Sequence, residues 1–296
     1  MSQRHSNSNR RKANSSRTAN NHLIAQIDVE TARPFRGETC LKTFFLVLAR
    51  DKQYVDEKIG ELEELGFPYL LVCGTKNNHP HTVFRTAKGK YDAINFGFNC
   101  VPTDTDVVVL NDVDTKIRNF EEALHWFEQK GVGLVFAKVL VKEGPQRLFY
   151  TILDGIRRRF LITASGELIL IRYDLLKRIV PMKPCKAEDT YLLFKALELK
   201  QKCIFCDKCI VETERTKTPE KEEIYKRKTV GGIYQALAYT KPPKALKLFY
   251  SLLPFSSPLL LILGKKGYFW TKGILLGLLD YLRGDRTGVW KTTYMD

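Results

Sequence analysis

The chain lacks two glycine-rich signatures that cradle phosphates: it has no P-loop and no Gly-x-Gly-x-x-Gly, so neither of those two phosphate-binding motifs carries its chemistry. Histidine is scarce, and its five copies offer little chemistry. His79 and His81 flank Pro80 in a polar stretch, and His125 stands alone further on. No serine or cysteine nucleophile is spaced with a histidine and an acid, which argues against a hydrolytic triad. A clean run of about 20 apolar residues, the length of a simple membrane span, is also missing. Pro254 and Pro258 interrupt ALKLFYSLLPFSSPLLLILG, while Lys272 and Asp280 mark YFWTKGILLGLLDYLRG. The opening MSQRHSNSNRRKANSSRTANN has no apolar leader segment, so a secretory signal is not expected. No aromatic precedes Phe35, so the arm lacks the interleaved rings of a single-strand nucleic-acid platform.

What is abundant is positive charge. Against 33 acidic residues stand 48 lysines and arginines, a net charge of +15, which implies an anionic partner: nucleic acid, anionic lipid or a phosphorylated substrate. The 44% apolar content over 296 residues suffices for a substantial core. Residues 1–38 read as a disordered basic arm, 39–240 as a catalytic domain and 241–296 as an apolar helical region. An odd number of cysteines, seven, fits a reducing compartment and hence a catalytic domain in the cytoplasm.

Strand and helix alternate along the middle of the chain. Thr43 to Ala49, Tyr69 to Cys73, Val107 to Leu110 and Val132 to Val141 read as buried strands, with helices over Tyr54 to Leu65 and Phe120 to Gln129. GELILI, AEDTYLLFKALELK and CIFCDKCIVET continue the pattern. The spacing predicts an α/β fold on a mostly parallel central sheet with flanking helices. The charged stretch Thr213 to Lys228 reads as a loop facing a ligand.

Several constellations carry chemistry. Asp112 and Asp114 leave the apolar strand DVVVLNDVD, at the end of a strand where α/β folds place their ligands. Their carboxylates suit Mg²⁺ or Mn²⁺, hard ions that keep substrate phosphates in their shell; a solvated turn is the plainer alternative. Glu188 and Asp189 open a helix, where the dipole favours acids; beyond capping, Asp189 is a candidate general base kept ionised by that dipole. Arg227 and Lys228 precede Gly231 and Gly232, a combination suited to closing over a diphosphate or simply a solvated loop. Lys90 follows Gly89, within reach of a phosphate. Cys203, Cys206 and Cys209, with Cys185, have metal-ligand character, but strand alternation puts Cys203 and Cys209 on one face and Cys206 on the other, which favours ordinary semi-buried cysteines.

Taken in order, these segments resemble the inverting glycosyltransferases of family 2, which have the GT-A nucleotide-diphospho-sugar transferase fold. GKYDAINFG at Gly89 to Gly97 is similar to the family's Gly-Lys-x-x-Ala-Leu-Asn-x-Gly, Asp112-Val113-Asp114 to its Asp-x-Asp, and Glu188-Asp189 to its Glu-Asp pair. The resemblance spans about residues 42 to 238. It implies that Asp112 and Asp114 help bind the donor and a Mg²⁺ or Mn²⁺, that Asp189 is the catalytic base, and that Lys90 belongs to the donor pocket. The family's Gln-x-x-Arg-Trp has no full counterpart in YKRKTVGG, with Arg227 the candidate for its arginine; processive synthesis is therefore not expected. LARDKQ and VCGTKN lack the usual base-pocket acid, leaving Asp51 and Thr75 as stand-ins.

The apolar tail, with lysines and aromatics at its edges, suits a membrane interface, as in-plane helices or a short inserted hairpin; buried closing helices are the alternative. Together these expectations describe an enzyme moving a sugar from a nucleotide-diphosphate sugar to a lipid-linked or glycan acceptor at a membrane surface. Two rivals are a nucleotidyltransferase, which attacks phosphorus, and a basic nucleic-acid-binding protein.

Overall fold

The computed structural model describes residues 41–142, 144, 147–214 and 218–288. The expected arm over 1–38 and Arg215, at the head of the basic cluster, lie outside the described residues.

Apolar runs become strands buried on both faces. β1 (Thr43–Ala49) is buried along its whole length, sending Phe44, Leu46 and Leu48 into one core cluster and Phe45, Val47 and Ala49 into the other. Each such side chain contributes about 1.5–3 kcal/mol by leaving water. After α1 (Val55–Leu65), closed by Gly66 in the left-handed region at φ 73°, come β2 (Tyr69–Cys73) and β3 (Thr82–Phe84), both parallel to the strands before them. α2 (Lys90–Phe98) leads to β4 (Val107–Asp112), which returns beside β1, again parallel. The helix expected to Gln129 instead divides into α3 (Phe120–Leu124) and a 3₁₀ turn, His125–Glu128, following β5 (Thr115–Arg118).

The second half adds the antiparallel part. β6 (Val132–Val141), α4 (Arg147–Arg157), β7 (Leu168–Arg172), α5 (Tyr173–Ile179), α6 (Glu188–Glu198) and β8 (Lys202–Thr213) follow. The sheet order is β3-β2-β1-β4-β7-β6-β8-β5. β6 and β8 run parallel, whereas β7 is antiparallel to β4 and β6, and β5 to β8. The chain leaves β1 for β2 on one side and reaches β4 on the other, which makes the carboxyl ends of β1 and β4 a topological switch point.

Two expectations are corrected. A register shift after Ala137, which pairs with Cys206 while Lys138 pairs with Ile210, bulges β8. The bulge turns Cys209 onto the face of Cys206 and leaves Cys203 on the opposite one, so simple period-two counting fails there. The charged stretch read as a loop is, from residue 219 on, the first half of one long helix, α7 (Pro219–Tyr239). Thr218 caps it by accepting from the Lys221 amide, and Pro219 sits in its first turn, an arrangement that favours helix initiation.

α8 (Lys244–Ser256), a 3₁₀ stretch Ser257–Leu263 and α9 (Gly264–Leu282) complete the described chain. It reverses at Gly264, φ 63°, and Thr271 Oγ1 donates to Ser257 O at 2.8 Å. α9 lies on α7 through glycines: a Cβ on Gly277 would stand 2.5 Å from Arg227 O, and one on Gly273 2.7 Å from Glu223 O. Gly231 faces Gly277, and Gly232 is pressed against Ala187 N. The paired glycines therefore serve helix packing rather than backbone approach to a ligand.

Candidate functional site

β4 delivers Asp112 to the switch point, and its surroundings fix the turn that follows. Asn111 Nδ2 donates to Glu167 O at 2.7 Å and to Thr115 Oγ1 at 2.9 Å. Thr115 Oγ1 donates to Asp112 O at 2.7 Å, and the Val113 amide donates to Leu48 O at 3.2 Å. From α1, the buried Lys58 donates to Thr115 O at 2.5 Å and to Glu61 at 2.6 Å. Burial lowers the Lys58 pKa, against the pull of Glu61, Asp112 and Asp114. The acidic pair thus sits in a rigid turn backed by a buried cation.

Lys90 joins the separate segments. It stands in the first turn of α2, after Gly89 at φ 111°. Its Nζ is 2.5 Å from Asp112 Oδ2 and 3.6 Å from Glu188 Oε1. Burial works against its charge, but the Asp112 and Glu188 carboxylates outweigh it and raise its pKa. The rest of the segment has structural work: Asn95 accepts from Met182 N and donates to Met182 O, at 2.7 and 3.0 Å, and Gly97 leaves room for Leu46 and Val72. GKYDAINFG thereby ties β1 and β2 to the loop that leads into Glu188 and Asp189.

Asp189 opens α6 beside that cluster. Its Oδ1 accepts from the Thr190 amide at 2.6 Å, and a Cβ on Gly166 would be 3.2 Å from Asp189 Cβ. Burial raises the pKa of Asp189, opposed by the Thr190 amide, Lys90 and Arg157; Glu188 is raised likewise by burial. Helix position alone therefore does not set the ionisation of this pair, and burial outweighs it. Arg157 is itself buried, pairing with Asp154 at 3.3 Å and donating to Thr163 O and Ala164 O. It holds the turn against which Asp189 packs, a role without any local sequence signal.

The remaining residues fall into two groups. Asp51 and Thr75 sit at the ends of β1 and β2, and Cys73 Sγ lies 3.4 Å from Asp51 O and 3.5 Å from Thr75 Oγ1. The Asp51 side chain accepts from the Gln53 amide at 2.9 Å. Arg227 and Lys228 are on α7. Arg227 makes a two-pronged ion pair with Asp280 of α9, at 2.5 and 2.7 Å. Burial, with Lys186 and Arg50 nearby, lowers the Lys228 pKa to about 8. Arg50 and Lys186 were not anticipated. Their only sequence signals are the strand exit LARD and the proximity of Lys186 to the Glu-Asp pair.

No protein-family model matches the chain, and no curated protein matches it. Solved structures do. The mannosyltransferase PcManGT of Pyrobaculum calidifontis, in complex with GDP-Man and Mn²⁺, superposes with a TM-score of 0.63 at 15% identity, over 92% of this chain and 97% of that one. GalNAc-T7, solved with UDP, GalNAc and Mn²⁺, gives 0.51 at 9% identity, over 84% of this chain and 59% of that one. The chain has a GT-A-like fold, an α/β architecture with helices on both sides of a mixed sheet.

Proposed function

We propose that the protein transfers a sugar, with inversion, from a nucleotide-diphosphate sugar to a hydroxyl or phosphate of a lipid-linked acceptor. The observation that carries this reading is Lys90, which bridges Asp112 and Glu188 and so unites three segments far apart in sequence at one strand-end crevice. That both solved neighbours were bound to nucleotides or nucleotide sugars with Mn²⁺ supports it.

The carboxylates at the end of β4 suit a divalent cation. Asp112 and Asp114 offer hard oxygens in a fixed turn, and among the described residues no cluster of three or more histidine, cysteine or acidic side chains is placed to enclose an ion. Such a pair fits Mg²⁺ or Mn²⁺ arriving with a diphosphate that completes its shell, and not an all-protein cage. When bound, the ion supplies neutralisation of the leaving diphosphate. Lys90 adds a fixed positive charge beside the same carboxylate. Asp51 and Thr75, at the ends of the neighbouring strands, are the candidate contacts for the nucleoside.

The reaction is one displacement. An acceptor oxygen forms the new bond to the anomeric carbon as the bond to the diphosphate breaks; a hydroxyl acceptor passes its proton to Asp189, whereas a phosphate oxygen attacks already ionised. Burial that raises the Asp189 pKa makes its carboxylate a stronger proton acceptor once ionised. Asp189→Asn should nearly abolish transfer, by about 10²–10⁴-fold, while sparing donor binding; turnover at the wild-type rate would reject the assignment. The nucleotidyltransferase alternative is separated by donor: it requires a nucleoside triphosphate with a sugar phosphate and releases pyrophosphate.

The membrane part of the proposal rests on α8. One side buries Leu246, Tyr250 and Pro254, while Leu248, Leu252, Phe255, Leu259 and Ile262 form an outward stripe at helical spacing, from 52% to 89% exposed. Lys244 and Lys247 stand at one end and Lys265 and Lys266 at the other. The segment Lys244–Leu282 has the length and hydropathy of a span, but its reversal at Gly264 supports a hairpin seated in one leaflet, its lysines at anionic headgroups.

A further inference from the structure

The outer side of α4 has no part in the crevice and is not covered by the protein. Phe149, Tyr150, Asp154 and Arg157 form its buried side. Leu148, Ile152 and Ile156 recur every four residues on the other; Leu148 and Ile152 are each 46% exposed, and Phe160, just past the helix, is 68% exposed. A cavity of about 420 Å³ opens there, lined by Ile152, Gly155, Ile156, Arg158, Arg159 and Phe160. A Cβ on Gly155 would meet nothing within 4 Å, so a residue that weakens a helix answers no packing need inside the protein and widens the cavity instead. Arg158 pairs with Asp207 at 3.0 Å, and Arg159 has no ion pair among the described residues.

α4 adjoins the hairpin on one side and the Asp189 turn on the other. Phe149 stacks on Trp270 of α9, with ring centroids 3.8 Å apart, and Tyr250 of α8 donates to Ile162 O at 2.6 Å. Leu153, Ile156 and Leu161 pack against the same core cluster as Phe249, Leu253 and Leu260 of the hairpin. Toward the crevice, Arg157 donates to Thr163 O and Ala164 O, and Thr163 Oγ1 lies 2.8 Å from Thr190 Oγ1, next to Asp189. One helix therefore links the outward apolar side chains to the turn that positions Asp189.

We infer that α4 is a second membrane contact, whose cavity takes an anionic phospholipid of the leaflet, with an acyl chain along Ile152, Ile156 and Phe160 and the phosphate at Arg158 and Arg159. An apolar strip edged by cations is what a helix lying in a bilayer interface requires, and the guanidinium fork matches a phosphate. The arginines and the adjoining outward stripe of the hairpin favour a bilayer over a second copy of the chain as the cover for this face. The inference rests on the membrane part of the reading above and not on sugar transfer. A hairpin alone is one line of attachment; a second on α4 fixes how the crevice faces the leaflet.

Hydrogen exchange and flotation of the full chain test this, with phosphatidylcholine vesicles made with or without phosphatidylglycerol as probes. In the wild type, amides of residues 148–160 should exchange several-fold more slowly on the anionic vesicles, a readout that needs no variant to fold. In flotation, Ile152→Asp with Phe160→Asp should weaken binding to both kinds of vesicle about tenfold, as apolar area is withdrawn from the bilayer. Arg158→Gln with Arg159→Gln should weaken binding to the anionic vesicles about tenfold and leave the neutral ones unchanged, since an arginine near a surface gains only where the lipid is charged. Unchanged exchange at 148–160, or wild-type affinity for anionic vesicles in either variant, overturns the proposal. Slowing at 148–160 that grows with protein concentration in the absence of vesicles assigns the face to a second copy and overturns it as well. Slowing at 244–263 without slowing at 148–160 rejects the α4 contact and leaves the hairpin standing, whereas the reverse rejects the hairpin and leaves α4.

Discussion

The strand-end crevice and the C-terminal hairpin are built in opposite ways. At the crevice, polar groups are fixed from several sides: Asn111, Thr115 and Lys58 hold the turn of Asp112 and Asp114, and Lys90 closes it against Glu188. The strands beneath are buried on both faces. The hairpin joins the body through glycine contacts to α7, an ion pair to Arg227, the buried Tyr250 and the stacking of Trp270 on Phe149, with much of its remaining apolar surface facing outward. A scaffold that must place charges for chemistry gains from rigidity; the hairpin is fastened closely along one side, where Leu246, Tyr250 and Ile274 are buried, and leaves the other uncovered.

Four variants break the contrast, the largest effect first. Asp189→Asn should lower kcat by about 10²–10⁴-fold, the usual contribution of a general base, with donor affinity kept. Lys90→Met should destabilise the fold by about 1–3 kcal/mol in denaturant titration; this is less than a fully buried pair would lose, because the ammonium keeps some contact with water. Gly277→Val, which drives a side chain into the Arg227 carbonyl, should cost about 1–3 kcal/mol as overpacking and loosen the hairpin while the crevice still binds donor. Phe255→Asp with Ile262→Asp should cut binding to anionic vesicles about tenfold, in proportion to the apolar area withdrawn, without changing the thermal unfolding midpoint.

The smallest effect is with pH. Lys228, lowered to about 8 by burial with Lys186 and Arg50 nearby, lines a cavity together with Arg227, Asp280 and Asp285. Between about 8 and the ordinary lysine value near 10.5 the folded state holds fewer protons at this group than the unfolded state, so its contribution to stability rises with pH across that window. Denaturant titration across pH 7 to 10.5 reads it; Lys228→Met should flatten the dependence.

Much of the crevice was legible because its strands are short apolar runs whose ends the sequence marks sharply: β1, β2 and β6 lie where hydrophobicity places them. The three motifs could be ordered along the chain, but nothing local revealed that Lys90 would touch both acids. The hairpin side was read less well for physical reasons. α7 opens with glutamates and lysines and contains two glycines, all loop-like in composition, whereas capping by Thr218 and packing against α9 make it helical. The β8 bulge moved Cys209 to the other face. Asp285 and Lys186 are 99 residues apart, and no periodicity links an acid beyond a helix end to a lysine ahead of another.

The central claim is that the crevice performs a single displacement with Asp189 as base. The most direct test is the anomeric configuration of the product formed from an α-linked nucleotide sugar, read by NMR for the wild-type enzyme and for Asp189→Asn. The account predicts a β-linked product from the wild type and, at equal enzyme and time, about a hundredth of it or less from the variant. An α-linked product, or equal yield from both proteins, would contradict it.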